Sequence, residues 1–163
     1  LLTALAEGRL DMAVLSGFGV VLDAELASCV TRADPCMVMI SAEHPLAAKA
    51  EIHPRELKGM PIVFNRAQDS QPSAAQIAGM YASMGLGGNP RMYADDFYGI
   101  ALIIHAGLAF SIMPASMADW GISGVVFRPL HGFRAKARTL LVYPRGRKEL
   151  GVSSFVSLIK PKR

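Results

Sequence analysis

From Pro61 to Met113 short β-rich runs alternate with amphipathic helical runs that end in glycine. Such an alternation leaves few folds open. A strand followed by a helix and another strand returns to the sheet in parallel, because a parallel pair needs a crossover of about a dozen residues. PIVF (61–64) reads as a short buried strand, followed by a polar loop, NRAQDSQP (65–72). Ile77, Met80, Tyr81 and Met84 then recur at helical spacing over about Ser73–Met84, and Gly85, Gly87 and Gly88 end that helix. Arg91–Ala94 is the next strand. Asp95 or Asp96 can cap a helix with an apolar face of Phe97, Ile100, Ala101 and Ile104, ended by Gly107. Leu108–Met113 is a strand again, and Pro114 opens a short helical piece to about Trp120.

The flanks are less regular. Leu1–Glu7 reads as the last turns of a helix before Gly8, and Leu10–Leu15 as a buried strand ending in the glycine-rich SGFG (16–19). Leu26–Thr31 and Cys36–Ser41 read as two further strands, Val125–Pro129 and Thr139–Tyr143 as two more. Pro45 cannot continue a ladder, HPREL (53–57) suits a short helical turn, and Lys148–Ile159 is the last helix. The expected fold class is α/β with mostly parallel sheets.

Composition narrows the function. The 163 residues are 52% hydrophobic and 18% charged, which is a globular balance. No apolar run reaches the roughly 18 residues of a membrane span. The start, LLTALAEGRLD, lacks the basic opening of an export signal, and Cys29 and Cys36 read as buried thiols, so a reducing, cytoplasmic setting is expected. Residues 128–163 hold ten of the 17 basic residues and one acid, Glu149. Aromatics are not interleaved with them as nucleic-acid stacking would need, so a solvated face is expected. His44, His53, His105 and His131 are scattered without metal-ligand spacing, and no cofactor motif is present. No nucleophile, base and orienting acid are set together around His44 or His105 in sequence, so no catalytic residue is assigned and an enzyme is not expected.

Five short motifs fall in order: GRLDMAVL (8–15), SAEHPLA (41–47), RELKGMPIV (55–63), HAGLAFSIMP (105–114), and VVFRPL (125–130) followed by VYPRG (142–146). At these separations they resemble the effector-binding domain of LysR-type transcriptional regulators, where the corresponding stretches read G-x-L-D-x-A-I, HPLA, L-x-x-x-P-x-I and A-G-x-G-I-A-x-L-P. The likeness covers essentially the whole sequence. It implies a two-lobe fold of the periplasmic-binding-protein type (type 2), with two small, mostly parallel sheets flanked by helices and joined by two crossover strands. Lobe I would be 1–45 with 131–163, and lobe II 46–130. It also implies a small-molecule effector, homodimers or homotetramers, and DNA bound by the parent protein through a winged helix-turn-helix that these residues do not contain.

Two departures stand out. The family's domain begins with a strand, a helix and a second strand ahead of the helix at Leu1, roughly 30–40 residues by ordinary element lengths. Ala109 also stands where A-G-x-G has its second glycine, which requires a negative φ there.

The resemblance implies that effectors bind between the lobes, at the carboxyl ends of strands. Three loops reach that position: Ser16 and Gly17 after the first strand; Asn65, Arg66 and Ala67, continuing to Ser70 and Ser73; and Met113 at the end of Leu108–Met113. The second loop leads into a helix, whose amino terminus and backbone amides favour an anion. Arg66 can pair with a carboxylate and the serines can cap or donate, so the expected ligand is an organic anion, probed best with small carboxylates. The same fold would also serve a transporter's solute-binding protein, but HPLA at the hinge favours the regulator.

Overall fold

The computed structural model describes residues 1–17, 22–69, 74–146 and 150–159. The chain divides into two compact units, Leu1–Ala33 with Ala137–Arg163, and Asp34–Lys136. Its strands are β1 (Ala13–Gly17), β2 (Leu26–Ser41), β3 (Ile62–Asn65), β4 (Arg91–Ala94), β5 (Ser111–Pro114), β6 (Val125–Arg128) and β7 (Lys136–Pro144). Its helices are α1 (Leu2–Ala6), α2 (Arg66–Asp69), α3 (Ala74–Ser83), α4 (Phe97–His105) and α5 (Leu150–Ile159). The chain crosses from one unit to the other inside β2 and returns at the start of β7.

In the discontinuous unit β1 runs antiparallel to β7, with Ala13 opposite Val142 and Gly17 opposite Arg138. Leu5, Ala13, Leu26 and Val142 form one core cluster, and Leu141 with Val156 of α5 forms another. Arg145 donates from Nε to the Leu26 carbonyl at 3.0 Å, so this basic residue is a tie between chain segments.

The unit Asp34–Lys136 holds β3 and β4 side by side in parallel, with Ile62 opposite Arg91 and Asn65 opposite Ala94. A parallel bridge, Ile62 to Phe110, brings the entry to β5 beside β3. The downstream part of β2 pairs antiparallel with β5 and with β6. Met39, Val63, Ile100, Ala101, Ile104 and Ala109 are buried together. Each such large side chain contributes about 1.5–3 kcal/mol by leaving water. The α4 face is the one its spacing implies, and Asp96 caps it by accepting the Gly99 N–H at 2.8 Å. Gly107 ends it at φ 73°. No described non-glycine residue has a positive φ, so Ala109 fits without strain and is buried.

Strand directions depart from the expectation of mostly parallel sheets. Among the pairings described, β3–β4 and the bridges Ile62–Phe110 and Ile52–Leu130 are parallel, while β1–β7, β2–β5 and β2–β6 are antiparallel. The β-α-β alternation holds only between Pro61 and Met113, and strands outside it need no crossover helix. Leu26–Thr31 and Cys36–Ser41 are also one strand rather than two. Pro35 sits within it just before the pairing with β5 begins at Cys36, where its missing N–H breaks no rung of that ladder. Residues 66–69, expected in the polar loop, form a helical turn.

Candidate functional site

The carboxyl end of the β3–β4 pair gathers polar groups. Because Asn65 lies opposite Ala94, the next residues, Arg66 and Asp95, emerge as neighbours. Arg66 Nε donates to Asp95 Oδ1 at 2.9 Å. The Arg66 guanidinium lies 5.8 Å from the Tyr93 ring centroid, within reach of a cation–π contact. Asn65 Oδ1 accepts the Ala67 N–H at 2.9 Å and so orders the start of α2. Phe64 packs edge-on against Tyr81 at 5.2 Å and tilted against Tyr93 at 6.2 Å, giving the strand end an aromatic flank.

The Arg66–Asp95 pair is open to water, with side chains 63% and 82% exposed. An exposed pair of this kind contributes only about 0–1 kcal/mol. Only Nε is engaged; the two Nη nitrogens have no partner among the described residues. They remain able to form the two-pronged contact that carboxylates favour.

Asn65, Arg66 and Ala67 are therefore brought together. Met113 lies on β5 opposite Met37, half-buried against the core cluster around Ile104, and offers apolar wall only. Ser16 and Gly17 end β1 in the other compact unit, opposite Thr139 and Arg138. Ser70 and Ser73 lie outside the described residues. Tyr93 and Asp95 were not singled out as site residues. Only the register of a parallel pair places them, and Asp95 had been weighed solely as a helix cap.

The other titratable groups have structural work. His44 Nδ1 accepts the Leu46 N–H at 3.2 Å and caps the 3-10 helix Pro45–Ala48, which explains the HPLA stretch locally. His105 ends α4, and its ring occupies the space above Gly124. Tyr81 reaches from α3 to β5, where its hydroxyl accepts the Ile112 N–H at 3.1 Å, and burial pushes its phenol up to about 12. Cys36 is buried and Cys29 half-buried, and neither is in a disulfide. Among the described residues no group of three or more His, Cys, Asp or Glu could hold a metal, and no helix is long and apolar enough to cross a membrane.

Residues 1–162 match the family model described as the LysR substrate binding domain. The Hca operon transcriptional activator HcaR of Escherichia coli K12 is 22% identical over 129 residues, 79% of this chain and 44% of that protein. The chain thus spans less than half the length of this curated relative. Full-length CbnR complexed with its target DNA is similar in structure, with a TM-score of 0.81 at 16% identity over 96% of this chain and 54% of that one. The BenM effector binding domain with its effector benzoate gives a TM-score of 0.75 at 19% identity, covering 96% of this chain and 71% of that one. These structural likenesses establish a shared fold, and with the match along residues 1–162 the chain belongs to the LysR substrate-binding domain family.

Proposed function

We propose that this chain senses a small organic anion, a carboxylate, for a LysR-type transcriptional regulator, binding it at the carboxyl end of β3 and β4. Arg66 carries the reading: it is held at that strand end by Tyr93 and Asp95 with both Nη nitrogens unspent. Asn65, Arg66 and Ala67 are the contacting residues, and Met113 is apolar wall. An incoming carboxylate takes Arg66 two-pronged and displaces a weak exposed pair, so the exchange is favourable. Family membership supports effector sensing, and benzoate in BenM supports the carboxylate class.

The role is binding and not turnover. The parent acts in the cytoplasm as a homodimer or homotetramer and reaches DNA outside this domain, a reading supported by the DNA-bound CbnR. Effector binding changes DNA occupancy only if the effector prefers one of two conformations. Calorimetric titration of a panel of small carboxylates, benzoate included, into the wild type and Arg66→Ala tests the site. Affinity for an acid that binds the wild type should fall about tenfold or more in Arg66→Ala. Equal affinity in the two proteins removes Arg66 from the site.

A further inference from the structure

The opposite, amino end of the same strands carries a cavity of ≈ 540 Å³ in the unit Asp34–Lys136, lined by His53, Arg55, Lys58, Ser83, Gly85 and His131 among others. Its volume lies in the range of about 300–1,000 Å³ that small-molecule sites occupy. Four of these six residues are cations or imidazoles, and no carboxylate lines the cavity. Among the described residues Arg55 and Lys58 have no ion-pair partner. Of the nearby acids, one is paired with a wall residue and the other is held outside the cavity lining. Glu51 binds His131 Nδ1 at 2.8 Å, and Glu56 is held by the Lys49 ammonium and the His53 N–H.

The walls are set before any ligand arrives. His53 and His131 stack with ring centroids 4.7 Å apart and 20° between planes. Among the described residues His53 Nδ1 is buried without a full hydrogen bond, facing only the Glu56 N–H in a capping-box arrangement. Beneath them the buried Asn89 fixes the turn after the 3-10 helix Pro54–Leu57. Its Nδ2 donates to the Leu57 and Met60 carbonyls at 2.7 and 2.8 Å, and its Oδ1 accepts the Gly59 N–H at 3.2 Å. The His131 N–H donates to the Ile52 carbonyl at 2.8 Å, tying the two histidine segments together.

We infer that this cavity is a second anion site, separate from the Arg66 strand end, and that it takes a small molecule carrying a phosphate group. The Arg55 guanidinium fork and the Lys58 ammonium supply two positive charges and more donors than one carboxylate uses, with imidazole nitrogens beside them. A phosphate monoester brings about −1.5 to −2 charge and three acceptor oxygens. The inference stands on this cavity alone and does not depend on what binds at Arg66.

Inorganic phosphate is the probe, titrated by calorimetry into the 163-residue chain at constant ionic strength. The wild type should give saturable binding that persists in the presence of excess benzoate. Arg55→Gln combined with Lys58→Gln should weaken it about tenfold or more, since each charge-assisted hydrogen bond lost is worth about one decade. Both positions are exposed, so the double variant should melt like the wild type. A measurement free of substitution is the imidazole NMR signals of His53 and His131, which phosphate should move together. Absent saturation, equal affinity in the double variant, benzoate competition, or unmoved imidazole signals would each overturn the inference.

Discussion

The two ends of the parallel strands in the unit Asp34–Lys136 are built on different principles. The amino end has a close-packed frame, centred on the buried Asn89, beside the cationic cavity. Asn89 spends three hydrogen bonds on the Leu57–Met60 turn, and Gly124 lets the His105 ring pack where a side chain would stand. The carboxyl end is held by one exposed ion pair and a cation–π contact, each individually weak. A substitution in that frame, as distinct from the exposed cations Arg55 and Lys58 of the cavity, should therefore be felt as lost stability. One at the carboxyl end should leave folding intact and change recognition. Weak, exchangeable contacts suit a place where a ligand must replace a protein group; satisfied buried polar groups suit the frame that holds it.

The largest effect should come from Gly124→Ala. Its φ is +78°, and an added Cβ would lie 1.7 Å from His105 Nδ1, so the ring must move. A loss of at least about 3 kcal/mol in denaturant unfolding is expected. Combining it with His105→Ala should recover part of that, leaving the left-handed strain of about 1–2 kcal/mol. No recovery would mean that the clash is not the cause. Next comes Asn89→Ala, which strands two carbonyls and one N–H and should cost about 3 kcal/mol. Arg66→Ala should by contrast change unfolding by less than about 1 kcal/mol. If the two cost the same, the contrast between the ends is gone.

Asp95→Asn sharpens the contrast in binding. Removing the acid that competes for Arg66 should tighten carboxylate affinity several-fold, within the roughly 0–1 kcal/mol that the exposed pair supplies. Weaker binding would show that Asp95 positions Arg66 rather than competes. Two further tests are in pH. Tyr81 ionises near 12 in the folded chain and near 10 unfolded, so its contribution is whole below pH 10 and is lost as pH rises toward 12. Unfolding stability of Tyr81→Phe should fall less steeply over that window; parallel slopes would contradict its burial. At the other extreme, the Lys49 ammonium, then the His53 N–H, hold the Glu56 carboxyl below its usual range. Its contribution is present above that range and lost as pH falls through the lowered value, and Lys49→Gln should flatten the acid limb.

Much of the fold was legible because local chemistry and tertiary packing agree. A cap at Asp95 or Asp96, the buried stripe Ile100–Ala101–Ile104 and the stop at Gly107 follow from spacing alone, and the structure picks Asp96 for the cap. What was illegible depends on pairing. Leu26–Thr31 and Cys36–Ser41 read as two strands, yet Pro35 between them lies within β2, where it precedes the first rung with β5 and breaks nothing there. The antiparallel partners of β2 and β7 leave no helical crossover to read. The site divides in the same way. Arg66 and Asn65 were visible as polar residues after a strand, whereas Tyr93 and Asp95 join them only through the Asn65–Ala94 register. Asn89 carries no signal of its own in the sequence, and only its burial and three partners reveal its weight.

Amide NMR of the labelled chain, titrated with the same carboxylate panel, puts the proposed recognition at the strand end to the most direct test. An acid that binds should move the Asn65, Arg66 and Ala67 amides together with that of Asp95, saturating at one affinity, while Asn89 and its neighbours stay still. Saturable binding that leaves those four amides unmoved would contradict it.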